Sequence, residues 1–535
     1  MAGRVRPAKS RRRDKNSWVN FPRIYRPKTA SFAKIWEYDD CHYLNGCRKM
    51  LLNPDDFEDA RQTRDPRFDG CFFVGVLTTG IYCRPVCPVR VPKKENVQLY
   101  KSAAAAATAG FRPCLRCRPE SSPGTPAWSG ASWKVSRGLQ LIDQGFLDEN
   151  SVDELAEQLG VGPRQLSRLF NDHLGASPVE VAQTRRLHFA KKLIDETGMN
   201  LSEICFVSGF VSVRRFNAVF RQTYNRSPKQ LRERRNTTAK QSGLIEISLS
   251  YRPPYDWPAI LAFLAYRAIP GVEAVTESIY ARTFRLDDKA GHFFACFDAE
   301  AHQVHLKISY PDTCHLYHII DRVRSLFDLR ADSAQIDAFL YQDALLRPMV
   351  ERFPGQRVPG CWNGFEVAVR AILGQQVTVK AASTLVARIA ERYGRPYHCE
   401  LKGLTYTFPE PAELMDADLS GMGIVGQRIA AIQAVARMVA VGELRMDCGV
   451  ETETFVEKIC STMGIGAWTA QYIAMRALND PNAFPHSDLI LRRAATAPGE
   501  TLTPKQLRER AELWQPWRAY CVILLWRYYG YLKKK

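Results

Sequence analysis

The chain has 535 residues, 74 Lys and Arg against 56 Asp and Glu, a formal net charge of +18 and 15 cysteines. At roughly 100–200 residues per domain, that length makes three to four folded units, and a composition of 46% apolar and 24% charged residues excludes gross disorder and collagen. No run of about 18 apolar residues occurs, which excludes a membrane-spanning helix, and an odd cysteine count spread over a long chain argues for a reducing compartment rather than a disulfide framework.

Residues 1–30 carry ten basic side chains, Arg4, Arg6, Lys9, Arg11, Arg12, Arg13, Lys15, Arg23, Arg26 and Lys28, against the single acid Asp14. With little apolar periodicity, 1–35 reads as a basic disordered arm. It is a solvated tail, an arm touching nucleic acid phosphates, or a nuclear address in a eukaryotic source. No apolar stretch follows, so a secretory signal is not expected. The arm holds half of the net charge: ten bases less one acid make +9 of the +18, and the remaining 505 residues are only mildly basic.

Residues 36–120 form the next segment, with short apolar runs at 72–77 and 80–82, followed by a Ser-, Gly- and Pro-rich linker at 121–130. Helical periodicity fills 131–235, and 236–243 reads as a second linker. In 244–330, alternating apolar residues at 244–249 and 304–308 argue for strands, and from 331 to 535 the pattern is helical with Gly-rich turns. The expected fold class is multidomain α+β.

Cys83-Arg-Pro-Val-Cys87 and Cys114-Leu-Arg-Cys117 present two close pairs of sulfurs, the donor set of one tetrahedral Zn2+. By spacing alone this reads first as a structural zinc knuckle, ahead of a reactive site. Cys41, Cys47 and Cys71 lie upstream at irregular spacing and read as ordinary thiols. The residues around the pairs, Thr78-Thr-Gly-Ile-Tyr-Cys83 and Ala109-Gly-Phe-Arg-Pro-Cys114, resemble the N-terminal domain of the Ada-type adaptive-response proteins over 53–120. The resemblance implies a small zinc-bound α/β domain in which Cys83 is both ligand and methyl acceptor, with Cys87, Cys114 and Cys117 as the other ligands. Zinc keeps a thiol deprotonated, and a thiolate can take the methyl group of a DNA methylphosphotriester. Nothing regenerates the thioether, so each molecule acts once. Four thiolates on Zn2+ sum to −2 and methylation leaves −1, so repair should tighten DNA binding and serve as a sensor.

Ser151-Val-Asp-Glu154 is a capping box ahead of a helix that Gly160 ends, and Pro163 opens a second helix. The pattern recurs from Leu201 and from Ser212, joined by a long helix over about 178–196. Such pairs resemble the AraC-type DNA-binding domain, here over 135–235, an all-α double helix-turn-helix. Leu155, Leu159, Leu166, Leu169, Phe170, Phe216 and Phe220 read as core. Arg164, Gln165, Arg168, Arg214, Arg215 and Asn217 are of the types that read base edges or hold phosphates.

In Met463-Gly-Ile-Gly-Ala-Trp-Thr-Ala-Gln-Tyr472, Gly464 and Gly466 permit a tight hairpin whose N–H groups face a phosphate at the start of the next helix. Together with Tyr255-Asp-Trp257, Arg370-Ala-Ile-Leu-Gly-Gln-Gln-Val-Thr-Val379, Phe484-Pro-His-Ser-Asp488 and Trp514-Gln-Pro-Trp-Arg-Ala-Tyr520, it resembles AlkA-type 3-methyladenine DNA glycosylase II over 244–535. The resemblance implies an antiparallel sheet (244–330) and an α-helical helix-hairpin-helix catalytic domain (331–535). It places the catalytic carboxylate at Asp488 and a base-binding pocket at Trp468, Tyr472 and Trp526, with Phe263 as a further wall. A fixed carboxylate stabilises the charge that develops on the sugar, and aromatic faces hold a flipped cationic purine.

Several departures refine the expectation. Trp468 stands where lyase-type members carry Lys, which implies a monofunctional glycosylase. No four-cysteine array follows Cys521, so no iron–sulfur cluster is expected. Gln376 stands at the place of the apolar wedge, and Met463 replaces a proline before the hairpin. A Pro-Cys-His-Arg motif is absent, so no O6-methylguanine repair is expected. The reading is a methyl-accepting sensor and transcriptional activator fused to a base-excision enzyme, with alkylated and promoter double-stranded DNA as partners, RNA polymerase as a further one, no membrane, and a place with the DNA in cytoplasm or nucleus. Its rivals are a regulator whose C-terminal half only binds lesions, and a glycosylase with a structural zinc unit.

Overall fold

The computed structural model describes residues 54–123, 133–233, 244–447, 450–496 and 500–533. The basic arm, Cys41 and Cys47, most of the first linker and all of the second lie outside the described residues.

The N-terminal module is a four-stranded sheet ordered β3-β1-β2-β4, from β1 (Phe73–Val76), β2 (Ile81–Cys83), β3 (Val97–Tyr100) and β4 (Arg112–Pro113). The central β1 is buried along its whole length and pairs antiparallel with β2 and β3, while β4 runs parallel to β2. Gly75 is required there: a Cβ would stand 2.7 Å from the Tyr100 ring and 3.0 Å from that of Phe111. The apolar clusters are small, Ala60, Phe72 and Val74 on one side and Phe73, Tyr82 and Ala106 on the other.

Two helix-turn-helix units follow, Val152–Gln158 with Pro163–Leu174 and Leu201–Val207 with Val213–Tyr224, joined by the helix Pro178–Glu196. Capping boxes at Ser151/Glu154, Ser177/Glu180 and Asn200/Glu203 start three of these helices, since each satisfies backbone N–H groups that a helix start leaves open. Leu155, Leu159, Leu166, Phe170, Phe216 and Phe220 are buried as the spacing predicts, and Leu169 is only half-buried at the edge of the cluster.

The joining helix is enclosed on all sides over Phe189–Ile194, which takes in Lys191 and Lys192. On one side Tyr82 Oη lies 2.8 Å from His188 Nε2, and Lys191 pairs with Glu120 at 3.4 Å and more closely with Asp195. On the other, Glu196 takes Arg118 at 2.9 Å and Lys192 at 3.0 Å while accepting from the Ser248 amide at 3.0 Å. The zinc module, the double helix-turn-helix and the glycosylase sheet therefore meet along one helix instead of hanging on linkers.

Burial holds the His188 imidazole down at about 4, against the raising effect of Glu120. An unfolded His titrates near 6.5, so the unfolded chain binds the extra proton first and this stability is lost as pH falls from about 6.5 to about 4, by up to ~3 kcal/mol. His188→Gln should flatten that part of the acid dependence of thermal unfolding; an unchanged acid limb would refute the assignment.

The second sheet is fully antiparallel, ordered β5-β9-β8-β7-β6, from β5 (Ile245–Ser250), β6 (Glu273–Val275), β7 (Ile279–Leu286), β8 (Lys289–Asp298) and β9 (Gln303–Ser309). The alternation read at 244–249 and 304–308 corresponds to β5 and β9, whose inward residues Ile247, Leu249, Val304, Leu306 and Ile308 are buried. The remaining helices pack around Gly364–Leu373, which is buried over its full length between Val379–Tyr393, Gly426–Ala440 and Ala467–Ala477.

Candidate active sites

The helices Thr452–Cys460 and Ala467–Ala477 form the hairpin. Gly464 has φ +89°, a left-handed conformation that favours glycine, whereas Gly466 is the N-cap of the second helix at φ −98°, open to any residue. Of the two glycines, only Gly464 is required by the backbone. No side chain caps the second helix, so its first N–H groups remain available to an anion such as a phosphate. Met463 stands at the tip, 83% exposed.

Facing the hairpin, Gln376 is exposed and held at φ +56°, a conformation that costs a non-glycine residue on the order of 1 kcal/mol. Its neighbour Gln375 holds the two loops together, with Nε2 donating to Gly464 O at 2.9 Å and to Thr469 Oγ1 at 3.1 Å, while Arg428 donates to Gln375 O. Gln376 thus projects from a fixed base beside the hairpin. Sequence reading passed over Gln375, Thr469 and Arg428, because nothing in their spacing marks contacts across 53 to 94 residues.

Asp488 caps the helix Leu489–Ala494, its Oδ1 accepting from the Leu491 amide at 2.9 Å. Trp468 Nε1 donates to Oδ2 at 2.9 Å and Trp526 Nε1 to Oδ1 at 3.2 Å. A carboxylate offers about four acceptor positions, so three donors fix its orientation and leave capacity toward the pocket. Trp468 stacks on Tyr472 with centroids 5.4 Å apart and planes 4° apart, and Trp526 lies 6.3 Å from Tyr472. Four of the expected residues, Asp488, Trp468, Tyr472 and Trp526, are therefore brought together. Phe263 is a layer behind: the Arg476 guanidinium lies 5.0 Å from its ring and 5.8 Å from that of Tyr472.

The Tyr472 hydroxyl accepts from Arg476 Nη1 at 2.9 Å. Burial alone would push this phenol up, but Arg476, Arg267 and Arg370 together bring it down to about 8. Arg267 and Arg476 are not singled out in the sequence, and Arg370 enters only as the first residue of the 370–379 segment.

In the N-terminal module the sulfurs of Cys83, Cys87, Cys114 and Cys117 all lie within 4.8 Å of one another. The parallel pairing of β2 with β4, with the Cys114 amide bonded to Tyr82 O at 3.0 Å, sets the first sulfur of each pair side by side. Arg84 braces the site: its amide donates to Cys117 Sγ at 3.4 Å, Nη1 donates to Cys117 O at 3.1 Å, and its guanidinium pairs with Asp69. The sulfur cage fits one tetrahedral zinc ion. The four cysteines are 6–8% exposed, so burial does not single out Cys83.

On the second helices of the two helix-turn-helix units, Arg164, Gln165, Arg168, Arg214 and Arg215 are exposed. Asn217 is half-buried and gives an Nδ2 hydrogen to Val213 O at 2.8 Å, because it occupies the helix position of Ser167, one step off the exposed face.

Family models match the chain in four segments: the metal binding domain of Ada at 57–120, a helix-turn-helix domain at 155–234, the AlkA N-terminal domain at 246–363 and the HhH-GPD superfamily of base excision DNA repair proteins at 369–519. Over 479 residues, 88% of this chain and 96% of the relative, it is 39% identical to a probable bifunctional transcriptional activator/DNA repair enzyme AlkA of Mycobacterium tuberculosis. It is 34% identical over 288 residues to DNA-3-methyladenine glycosylase 2 of Escherichia coli, covering 52% of this chain and 96% of that one. To the bifunctional transcriptional activator/DNA repair enzyme AdaA of Bacillus subtilis it is 31% identical over 192 residues, 36% of this chain and 88% of the relative.

Proposed function

The chain belongs to the family of AlkA-type bifunctional transcriptional activator/DNA repair enzymes, and from that premise we propose that its N-terminal half senses DNA methylation and its C-terminal half excises alkylated bases. It is a DNA-binding repair and regulatory protein with one zinc site and a helix-hairpin-helix glycosylase.

The observation that carries the excision reading is the Asp488 carboxylate, held by two indole N–H groups at the edge of an aromatic pocket beside the hairpin. A cationic purine such as 3-methyladenine, flipped from the duplex, stacks on Trp468, Tyr472 and Trp526. As the N-glycosidic bond breaks, the bonding pair leaves with the base and Asp488 stabilises the positive sugar until water adds. The groups bonded to Asp488 are two indoles and an amide, none able to form a Schiff base, which supports hydrolysis without strand cleavage. The test is base release from alkylated DNA, followed by inspection of the product strand for an intact abasic site. Gln376→Ala should lower single-turnover excision by about ten-fold, or ~1.4 kcal/mol, with little change in melting temperature. An unaltered rate would remove Gln376 from the flipping step.

In the zinc site the metal's chemistry is to keep the thiols ionised. Cys83 Sγ attacks the methyl carbon of a methylphosphotriester, the C–O pair returns to the phosphate oxygen, and a thioether and an ordinary phosphodiester result. One negative charge fewer then faces the DNA, which favours promoter binding through the two helix-turn-helix units, with RNA polymerase as the partner at the promoter and the DNA compartment of the cell as the place of action. Arg214→Ala and Arg215→Ala should each weaken promoter binding. A residue on phosphate lowers the salt slope by about one, whereas a residue on a base edge relaxes sequence preference instead. Equal promoter affinity of methylated and unmethylated protein would defeat the sensor.

A further inference from the structure

Behind the base pocket lies a second cavity, walled by β7, the helices Trp257–Arg267 and Gly364–Leu373, and the hairpin helix Ala467–Ala477. Its charged lining is Arg267, Arg282, Arg370, Arg476, Glu273 and Glu366. Four guanidiniums against two carboxylates leave a formal excess of two positive charges in the interior.

Arg282 takes both carboxylates, at 2.7 Å from Glu366 and 3.8 Å from Glu273. Arg267, Arg370 and Arg476 have no carboxylate partner among the described residues. Arg476 is spent on the carbonyls of Pro359 and Gly360, each at 2.6 Å, and on the Tyr472 hydroxyl. Arg267 lies 3.7 Å over the Phe263 ring. Arg370 is 8% exposed, gives Nη2 to Ser383 at 2.7 Å and leaves Nη1 buried without a hydrogen bond.

Such a cluster beside a pocket for cations is a conflict, since uncompensated positive charge repels a positively charged base. The Tyr472 phenol is the acidic group bonded to one of these arginines, and its ring belongs to the aromatic wall on which the base would stack.

We propose that Tyr472 is the charge-selecting wall of the base pocket: with its hydroxyl bonded to Arg476 and faced by Arg267 and Arg370, it releases its proton to solvent as a cationic alkylpurine stacks on the ring. The pocket then offers a phenolate to cations and a neutral phenol to ordinary bases, so charge adds to shape in selecting the lesion. This rests on the glycosylase reading and names what that site selects. The pull of the three arginines on the phenol, already down to about 8, acts in the required direction. Burial and mutual repulsion push Arg267 and Arg370 below their usual range, and burial pushes the neighbouring Cys361 thiol up to about 12, so that thiol stays neutral. Asp488, which faces the same pocket through Trp468, keeps its separate role.

The experiment is a pH series on the full zinc-loaded chain, wild type against Tyr472→Phe. It follows near-ultraviolet tyrosinate absorbance and the single-turnover release of 3-methyladenine from alkylated DNA. The wild type should show one tyrosinate titrating at about 8, with excision rising about ten-fold alongside it; both should vanish in Tyr472→Phe, which keeps the ring. Arg370→Gln should move both upward in pH. Superimposable profiles for wild type and Tyr472→Phe, or no tyrosinate below the ordinary range, would overturn the proposal. A normal tyrosinate titration with no base release by the wild type would support the ionised wall and sink the glycosylase reading instead.

Discussion

Asp488→Asn should cut release of 3-methyladenine from alkylated DNA by about 100- to 1,000-fold, ~3–4 kcal/mol of transition-state stabilisation. Asparagine caps a helix about as well as aspartate, so the bond from the Leu491 amide survives and the fold with it. One indole loses its acceptor, because an amide nitrogen cannot accept from Trp468 or Trp526. What disappears is the negative charge opposite the sugar. The expected signature is therefore intact melting, intact affinity for alkylated DNA and lost turnover, read by single-turnover assay, calorimetry and titration. Absence of release by the wild type would show instead a C-terminal half that only binds lesions.

Zinc removal should have the other large effect. Apart from the cysteine cluster, the described residues of the N-terminal module hold two small apolar clusters, around Phe72 and Val74 and around Phe73 and Tyr82, too little to hold a sheet of short strands by themselves. Structural zinc contributes on the order of 10–16 kcal/mol in small metal-organised units. Chelation should therefore unfold 54–120 and expose it to protease, while base release by the C-terminal half continues. The bond between Tyr82 and His188 would go with it, loosening the joining helix. Cys83→Ser adds the chemical arm. The wild-type peptide should gain about 14 Da, one methylene, after incubation with methylated DNA, and the variant none. A gain located on Cys87, Cys114 or Cys117 would reassign the acceptor, and no gain at all would make the zinc unit structural.

Much of this molecule is written in local signals. Capping boxes, the proline opening the first recognition helix, the paired cysteines and the hairpin glycine each depend on residues a few positions apart, where backbone geometry leaves few alternatives. The identities of Asp488 and Cys83 came from resemblance rather than geometry: the four sulfurs are equally buried, and an aspartate before a short helix reads first as a cap.

Local pattern failed wherever a side chain's task depends on a distant element. The two linkers suggested separate modules, yet Pro178–Glu196 is clasped by the zinc module through Tyr82 and Glu120 and by β5 through Ser248.

The sequence by itself determined which elements form and which chemistries the chain carries, because helix starts, metal spacing and strand alternation are short-range physics. Only the tertiary structure decided how that chemistry is tuned. Gln375 ties the loop bearing Gln376 to the hairpin, and Arg267, Arg370 and Arg476, drawn from three helices, converge behind Tyr472. An arginine on a helix face is a solvated charge until packing buries it, and its effect on a neighbour's proton exists only at the distance the fold imposes.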